Sequence, residues 1–118
     1  MSVSYLTGWS ALKDKICKKN EEKSISAYWV VRVAVRDADK LTAYAPLAAA
    51  TVETYGGRYL ARGGAHESTE GSDYPRNVIV EWPDMETAQK AYHSPEYAHA
   101  KDVLGDGADR LFVIVEGL

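Results

Sequence analysis

The chain has 118 residues, of which 46% are hydrophobic and 26% are charged, and its formal net charge is −3. This length and composition are typical of one soluble globular domain and exclude a second, separate substrate domain. The charge offers no overall attraction to nucleic acid, and no apolar run approaches the roughly 20 residues that span a bilayer, so we expect neither nucleic acid nor membrane as a partner.

Residues 1–26 differ in pattern from the rest of the chain. Trp9, Leu12 and Ile16 recur at helical spacing and are followed by a polar run of mixed charge. This spacing predicts an N-terminal extension containing an amphipathic helix, which docks on the domain or on a partner subunit. The alternative is a frayed leader with no packing role. In either case we place the folded domain at residues 27–118.

A strand and a helix open that domain. Residues 27–35 are rich in β-branched and aromatic side chains, which is typical of a strand. Asp37 can cap the helix that follows, and its apolar positions recur every three or four residues. Pro46 lies inside this helix and should kink it or begin its second half. The pair Gly56-Gly57 then ends the helix.

Two more strands, a second helical segment and a last strand follow. A strand at 58–62 leads into a polar loop, and another strand is predicted at 76–82. Asp84 and Ser94 can each cap a helix. A strand at 110–116 completes the order β-α-β-β-α-β. This order predicts an α+β, ferredoxin-like fold with its helices on one face of the sheet.

Alternation along the strands predicts what each face of the sheet carries. In the first strand Trp29, Val31, Val33 and Val35 should lie under the helices. The opposite side, which we call the open face, then carries four polar side chains among aliphatic ones: Tyr28, Arg32, Arg62 and Glu81. Arg62 belongs to this set if Tyr59 and Ala61 take the helix side. Such a face is too apolar to be simply solvated, so we expect a second copy to cover it, giving a homodimer with an enclosed cavity.

Arg62 and Glu81 form the most informative pair of candidate catalytic residues. If neighbouring strands place them within salt-bridge distance, the arginine can hold a carboxylate or enolate while the glutamate moves a proton. The alternative is a buried ion pair that only fixes the geometry of the dimer.

His66 and two residues of the first strand complete the candidates drawn from the pattern alone. His66 follows the glycine pair after Arg62, and histidine is the side-chain type most often used for acid–base work, although a lone loop histidine is more often a surface residue. Tyr28 and Arg32 could bind the oxygen atoms of a small-molecule ligand, or they could be ordinary sheet packing.

Five segments of the chain resemble a known bacterial family. They are Ala27-Tyr28-Trp29, Gly56 to Gly64, Val80-Glu81-Trp82-Pro83, Ser94-Pro95-Glu96-Tyr97 and Val115-Glu116-Gly117. In this order they are similar to the domain of unknown function 1330, of the dimeric α/β-barrel superfamily. The resemblance implies a homodimer with a ligand-sized pocket between sheet and helices. It also adds Tyr97, through its motif, to the candidate substrate-binding residues.

The resemblance names no single activity and is incomplete in two places. Relatives in the superfamily include cofactor-free monooxygenases, lactone isomerases, polyketide cyclases and haem-dependent enzymes. The stretch Val103-Leu104-Gly105 lacks the arginines expected after the Ser-Pro-Glu-Tyr helix, and the extension of 26 residues is additional to the usual start.

Motifs typical of several other enzyme classes are absent from this sequence. There is no dinucleotide-binding or phosphate loop, no zinc protease motif and no nucleophile elbow. Cys17 is the single cysteine, so no internal disulfide forms, and we expect a cytoplasmic protein. With three scattered histidines we expect no metal, and no pattern marks a cofactor.

These observations favour a cofactor-independent enzyme of isomerase, cyclase or lyase type. It would act by proton transfer on a small organic carbonyl or phenolic compound in a dimer-enclosed pocket. One alternative is a non-catalytic, ligand-binding or stress-associated homodimer, and another is a cofactor-free monooxygenase.

Overall fold

A computed structural model describes residues 25–118. The helix predicted around Trp9, Leu12 and Ile16 therefore lies outside the described residues. The elements in chain order are β1 Ala27–Val35, α1 Ala38–Tyr55, β2 Arg58–Arg62, β3 Arg76–Trp82, α2 Met85–Tyr92, α3 Pro95–Leu104 and β4 Ala108–Glu116. The predicted β-α-β-β-α-β order is confirmed, with two short helices forming the second helical segment.

The four strands form one antiparallel sheet in the order β2-β3-β1-β4. The register places Val33 of β1 opposite both Arg76 of β3 and Arg110 of β4. Residues that are directly opposite one another point to the same side of a sheet. Arg76, Val33 and Arg110 therefore form one row across three strands, on the side that faces the helices.

Side-chain caps fix the starts of the helices. Asp37 Oδ1 accepts hydrogen bonds from the backbone N–H groups of Asp39 and Lys40, at 3.0 and 3.3 Å, and Ser94 Oγ accepts one from Tyr97 N. The helix α1 contains Pro46 and continues as one element of 18 residues. It ends at Gly56, whose φ of 86° is the left-handed conformation that glycine adopts most easily.

An aromatic core lies between the sheet and the helices. Trp29 is at its centre, with its ring centroid 4.8 Å from Trp82, 5.1 Å from Tyr97 and 5.2 Å from Phe112. The alternation predicted for β1 holds for its buried residues, but Val35 at the end of the strand is 40% exposed and is not covered by the helices. Val33 is therefore the last residue of β1 whose side chain is buried in the core.

A bulge in β2 changes the predicted faces of the sheet. Tyr59 lies opposite Val80, but Ala61 lies opposite Ile79 and Arg62 opposite Val78, which leaves Leu60 as the extra residue. A bulge of this kind shifts the alternation by one position. Arg62 therefore lies on the helix side together with Tyr59, and its predicted place on the open face is wrong.

Candidate functional site

A pocket of about 150 Å³ lies between the helix side of the sheet and α1. Its apolar walls come from the strands and the helix: Trp29, Val31, Val33, Leu41, Ala45, Ala48, Val78, Val80 and Phe112. Its polar lining consists of three tyrosines and three arginines: Tyr44, Tyr59, Tyr97, Arg62, Arg76 and Arg110. A cavity of roughly this size can hold a benzene ring, so the pocket suits a small organic molecule.

Two tyrosines and one arginine form a cluster at the β4 end of the pocket. The hydroxyl groups of Tyr44 and Tyr97 share a hydrogen bond, and Arg110 Nη1 donates to both, at 3.1 and 3.0 Å. Three elements supply the cluster: α1 carries Tyr44, the first turn of α3 carries Tyr97 and β4 carries Arg110. The Ser94 cap fixes the start of α3 and with it the position of the buried Tyr97 ring.

Burial and mutual contacts shift the pKa values of two residues in this cluster, Tyr44 and Arg110. Desolvation raises the pKa of Tyr44, and the neighbouring Tyr97 raises it further, while Arg110 offsets only part of that rise. Burial acts to lower the pKa of Arg110, but Tyr97 and Tyr44 outweigh it and the net shift is upward. At neutral pH the cluster therefore presents a phenol on Tyr44 and a cation on Arg110.

The other two arginines lie at the β2–β3 end of the pocket. The guanidinium carbon of Arg62 stands 4.3 Å from the ring centroid of Tyr59, a cation–π contact. The Arg76 guanidinium lies against the backbone of Gly63, where any Cβ would overlap it. Gly63 also has a φ of 73°. This glycine thus permits both the turn after β2 and the position of Arg76.

None of the three pocket arginines has a carboxylate partner within 4.0 Å among residues 25–118. The open face is different, because Arg58 Nη2 there lies 2.7 Å from Glu81 Oε1. Guanidinium groups bind carboxylate and phosphate through charge-assisted, often bidentate hydrogen bonds. An apolar pocket lined by three such cations is therefore suited to an organic anion.

The structure brings together only two of the residues predicted from the sequence. Arg62 and Tyr97 both line the pocket. Glu81 lies on the open face, bound to Arg58, so the predicted pairing of Arg62 with Glu81 is wrong. The bulge at Leu60 is the cause, because it turns Arg62 away from the face that carries Glu81.

The remaining predicted residues lie away from the pocket. His66 is in the exposed loop after β2, with its Nε2 3.6 Å from Asp73 Oδ1. Tyr28 and Arg32 alternate with the buried residues of β1 and so face the open side, where Arg32 Nε donates to Asn77 Oδ1 at 2.9 Å. Whether any of them has a role in function stays a prediction.

Sequence reasoning missed four of the polar residues that line the pocket: Tyr44, Tyr59, Arg76 and Arg110. Alternation could have found the two arginines, since Arg76 is in phase with Val78 and Val80, and Arg110 with Phe112. Tyr44 gave no such signal because an aromatic residue at an apolar helix position is indistinguishable from core.

Within residues 25–118, no group of three or more His, Cys, Asp or Glu side chains is arranged to hold a metal ion. No helix in the same range is long and apolar enough to cross a membrane.

Comparison with solved structures shows the same fold in several proteins. A protein of unknown function from Rhodopseudomonas palustris matches with a TM-score of 0.68 and 16% identity over 81% of this chain and 85% of its own. SnoaB, a cofactor-independent oxygenase from Streptomyces nogalater, matches with a TM-score of 0.58 and 13% identity over 80% of this chain and 95% of its own. A dimeric ferredoxin-like protein of unknown function from Thermobifida fusca matches with a TM-score of 0.54 and 10% identity over 80% of this chain and 92% of its own.

At these identities the similarity establishes the fold and leaves the activity open. A search of curated proteins found no match. The family model described as "Domain of unknown function (DUF1330)" matches residues 26–118, which is the greater part of the chain and includes every described strand and helix. The resemblance seen in the five sequence segments is thereby confirmed, and the chain belongs to this family.

Proposed function

We propose that the pocket binds a small organic anion and that the protein is a cofactor-independent enzyme acting on it by proton transfer. The observation that carries this proposal is the set of three pocket arginines without a carboxylate partner among residues 25–118, next to three tyrosine hydroxyls. The ligand class is a carbonyl or phenolic compound that also bears an acidic group.

The binding step follows from size and charge. The apolar walls accept a ring or short chain, and the volume of about 150 Å³ limits the enclosed part to roughly the size of benzene. A carboxylate on that ligand can form a charge-assisted hydrogen bond with Arg110, beside the hydroxyls of Tyr44 and Tyr97. Arg110 has no carboxylate partner within residues 25–118, so a ligand carboxylate would not have to displace one from the protein.

The chemical step relies on the cluster of Tyr44, Tyr97 and Arg110. A ligand carbonyl oxygen near these groups would accept hydrogen bonds that strengthen when the oxygen becomes an enolate. The proton leaves the carbon next to the carbonyl for water, and a proton returns from water to the same or to a conjugated carbon. The result is exchange or isomerisation. Glu81 and His66 have no part in this step, because neither lines the pocket.

Solvent exchange in phenylpyruvate tests this proposal. In deuterium oxide, proton NMR should show that the hydrogens on the carbon beside the ketone exchange faster with the protein than without it. Removing one hydrogen-bond donor to a developing oxyanion typically costs about 10²–10³-fold, so Tyr97→Phe should lower the excess rate by that order. Tyr28→Phe, an equal change on the open face, is the matched control and should leave the rate unchanged.

The non-catalytic alternative has its own supporting observation. Every ionisable side chain that lines the pocket within residues 25–118 is an arginine or a tyrosine, and the raised pKa of Tyr44 makes that residue a poor base. Phenylpyruvate that binds in an arginine-dependent manner but exchanges only at the uncatalysed rate would establish a binding protein. Oxygen consumption with the same ligand would instead support a cofactor-free monooxygenase; SnoaB, which has the same fold, is described as a cofactor-independent oxygenase.

The open face supports a homodimer. Three of its aliphatic side chains, all on β4, are 44–53% exposed: Leu111, Val113 and Val115. An apolar surface of this kind on a sheet is typical of a covered interface. The structural neighbour from Thermobifida fusca is described as dimeric, and a second copy of this chain placed on the open face would bury these residues.

A further inference from the structure

We infer that the pocket selects ligands with two acidic groups, one at each end of a short apolar spacer, such as an aromatic dicarboxylate. This inference rests on the proposed function, because it concerns the same pocket and narrows its ligand class. It follows from where the three arginines lie relative to one another and to the apolar walls.

The arginines form two separate positive ends rather than one cluster. Arg76 and Arg110 occupy the two ends of the row through Val33, and neighbouring strands lie about 4.8 Å apart, so their Cα atoms are roughly 10 Å apart. The Arg76 guanidinium lies against Gly63, on the side away from Arg110. The two guanidinium groups therefore contact different parts of the pocket, since that of Arg110 donates to the hydroxyls of Tyr44 and Tyr97.

The surface between the two ends is apolar. Val33 lies at the centre of the row, and Val31 and Phe112 form the neighbouring row, with Arg62 at its far end opposite Val78. These four apolar residues, Val31, Val33, Val78 and Phe112, line the same pocket as the arginines. A ligand that reaches both positive ends must therefore place a ring or a short hydrocarbon chain between its two acidic groups.

Each end is equipped to hold its own acidic group. Arg62 and Arg76 form one end, and two guanidinium groups can satisfy both oxygens of a carboxylate. At the other end Arg110 donates a hydrogen bond to the hydroxyl of Tyr44. The raised pKa of Tyr44 keeps that hydroxyl protonated, so Tyr44 can itself donate a hydrogen bond. A ligand with one carboxylate would leave one of the two ends without a counter-charge.

Calorimetric titration of the full chain with four simple probes tests the inference. Benzoate carries one carboxylate, whereas benzene-1,3-dicarboxylate and benzene-1,4-dicarboxylate carry two on the same ring. Phenyl phosphate carries up to two charges at a single end, since its second pKa is about 6. We expect at least one dicarboxylate to bind about tenfold or more tightly than benzoate, as one added charge-assisted contact implies. Phenyl phosphate should bind less tightly than that dicarboxylate.

Two substitutions assign the effect to the arginines. Arg76→Gln should bring the dicarboxylate affinity down to that of benzoate while changing the benzoate affinity by no more than about twofold. Arg62→Gln should act in the same direction, which provides a second variant if Arg76→Gln is poorly folded. Arg58→Gln, on the open face beside Glu81, is the matched control and should alter neither affinity.

The possible failures are distinguishable. If benzoate and both dicarboxylates bind with equal affinity and Arg110→Gln weakens all of them, the two-ended ligand is refuted and the proposed function stands. If phenyl phosphate matches the best dicarboxylate, the number of charges matters and their separation does not, which also refutes the inference. If none of the four probes binds, the inference and the proposed anion pocket both fail.

Discussion

The two faces of this sheet differ in how their arginines are paired. On the open face Arg58 is bound to Glu81 at 2.7 Å, and Arg32 donates to Asn77 at 2.9 Å. On the helix side, Arg62, Arg76 and Arg110 line a partly enclosed pocket, and no carboxylate of residues 25–118 pairs with them. Within residues 25–118 the helix side thus carries three arginines without a carboxylate partner, whereas the open face carries one, Arg32.

This contrast indicates different uses for the two faces. A charge that is neutralised within the chain, as in the Arg58–Glu81 ion pair, can be covered by a second copy at a lower electrostatic cost than an unpaired charge. Charges left without a carboxylate beside an apolar cavity favour an anion from outside. The open face is accordingly the proposed dimer interface, and the helix side is the proposed ligand site.

The largest expected effect is on assembly through the open face. Val113, which is 53% exposed, becomes a buried cation at the proposed interface when it is changed to lysine. An unpaired buried charge costs several kcal/mol, so Val113→Lys should dissociate the dimer at micromolar concentration. Light scattering should give about twice the 13.0 kDa chain mass for the parent and the single-chain mass for the variant. Glu53→Lys on the exposed side of α1 is the control, and a parent that is itself monomeric would refute the interface.

Ligand binding should respond to the helix side and not to the open face. Arg110 of β4 and Arg32 of the neighbouring β1 differ by one register position and point to opposite sides. Arg110→Gln should weaken phenylpyruvate binding by about tenfold to a hundredfold, the value of a charge-assisted hydrogen bond. Arg32→Gln should leave it unchanged when both are measured by calorimetry. Equal losses in the two variants would mean that the ligand lies elsewhere.

Packing beneath the pocket should tolerate little change at Gly57. A Cβ on this residue would lie 2.8 Å from Trp82 Cη2, and Trp82 is fully buried. Because the ring has no room to move, Gly57→Ala should lower the free energy of unfolding by about 1–3 kcal/mol, as overpacked sites generally do. Urea denaturation measures the loss. Gly64→Ala is the matched control, since no atom lies within 4 Å of its Cβ, and a similar loss there would contradict the packing argument.

The fold was largely predictable from the sequence, because its signals are local. Asp37 and Ser94 cap helices where their side chains predicted, and Gly56 ends α1. The strand at 27–35 matches β1 in full. These features depend on a few neighbouring residues, and the β-α-β-β-α-β order then follows from their sequence along the chain.

The candidate site was less predictable because it depends on register. One extra residue in β2, Leu60, moves Arg62 to the other face of the sheet, and nothing in the local sequence marks the bulge. The contact between Tyr44 and Tyr97 joins residues 53 positions apart, which no pattern within either helix reveals. Arg110 was accessible to alternation, but its two tyrosine partners were not.

The smallest expected effect concerns the acid dependence of stability at Asp84, the cap of α2. Its carboxylate accepts a hydrogen bond from the Thr87 N–H at 2.7 Å, and hydrogen bonding to Thr87 lowers the pKa of Asp84 below its ordinary value of 3.8. The folded state therefore holds the carboxylate ionised more strongly than the unfolded chain does. That stabilisation is fully present above about pH 4 and is lost as the pH falls through the lowered pKa.

Asn caps helices about as well as Asp, so Asp84→Asn should change the free energy of unfolding by only a few tenths of a kcal/mol at pH 7. Urea denaturation between pH 7 and pH 2 should show a shallower acid decline for Asp84→Asn than for the parent. Asp102→Asn, at an exposed position of α3, is the control and should leave the decline unchanged; an identical decline in the parent and in Asp84→Asn would show that the cap does not couple folding to protonation.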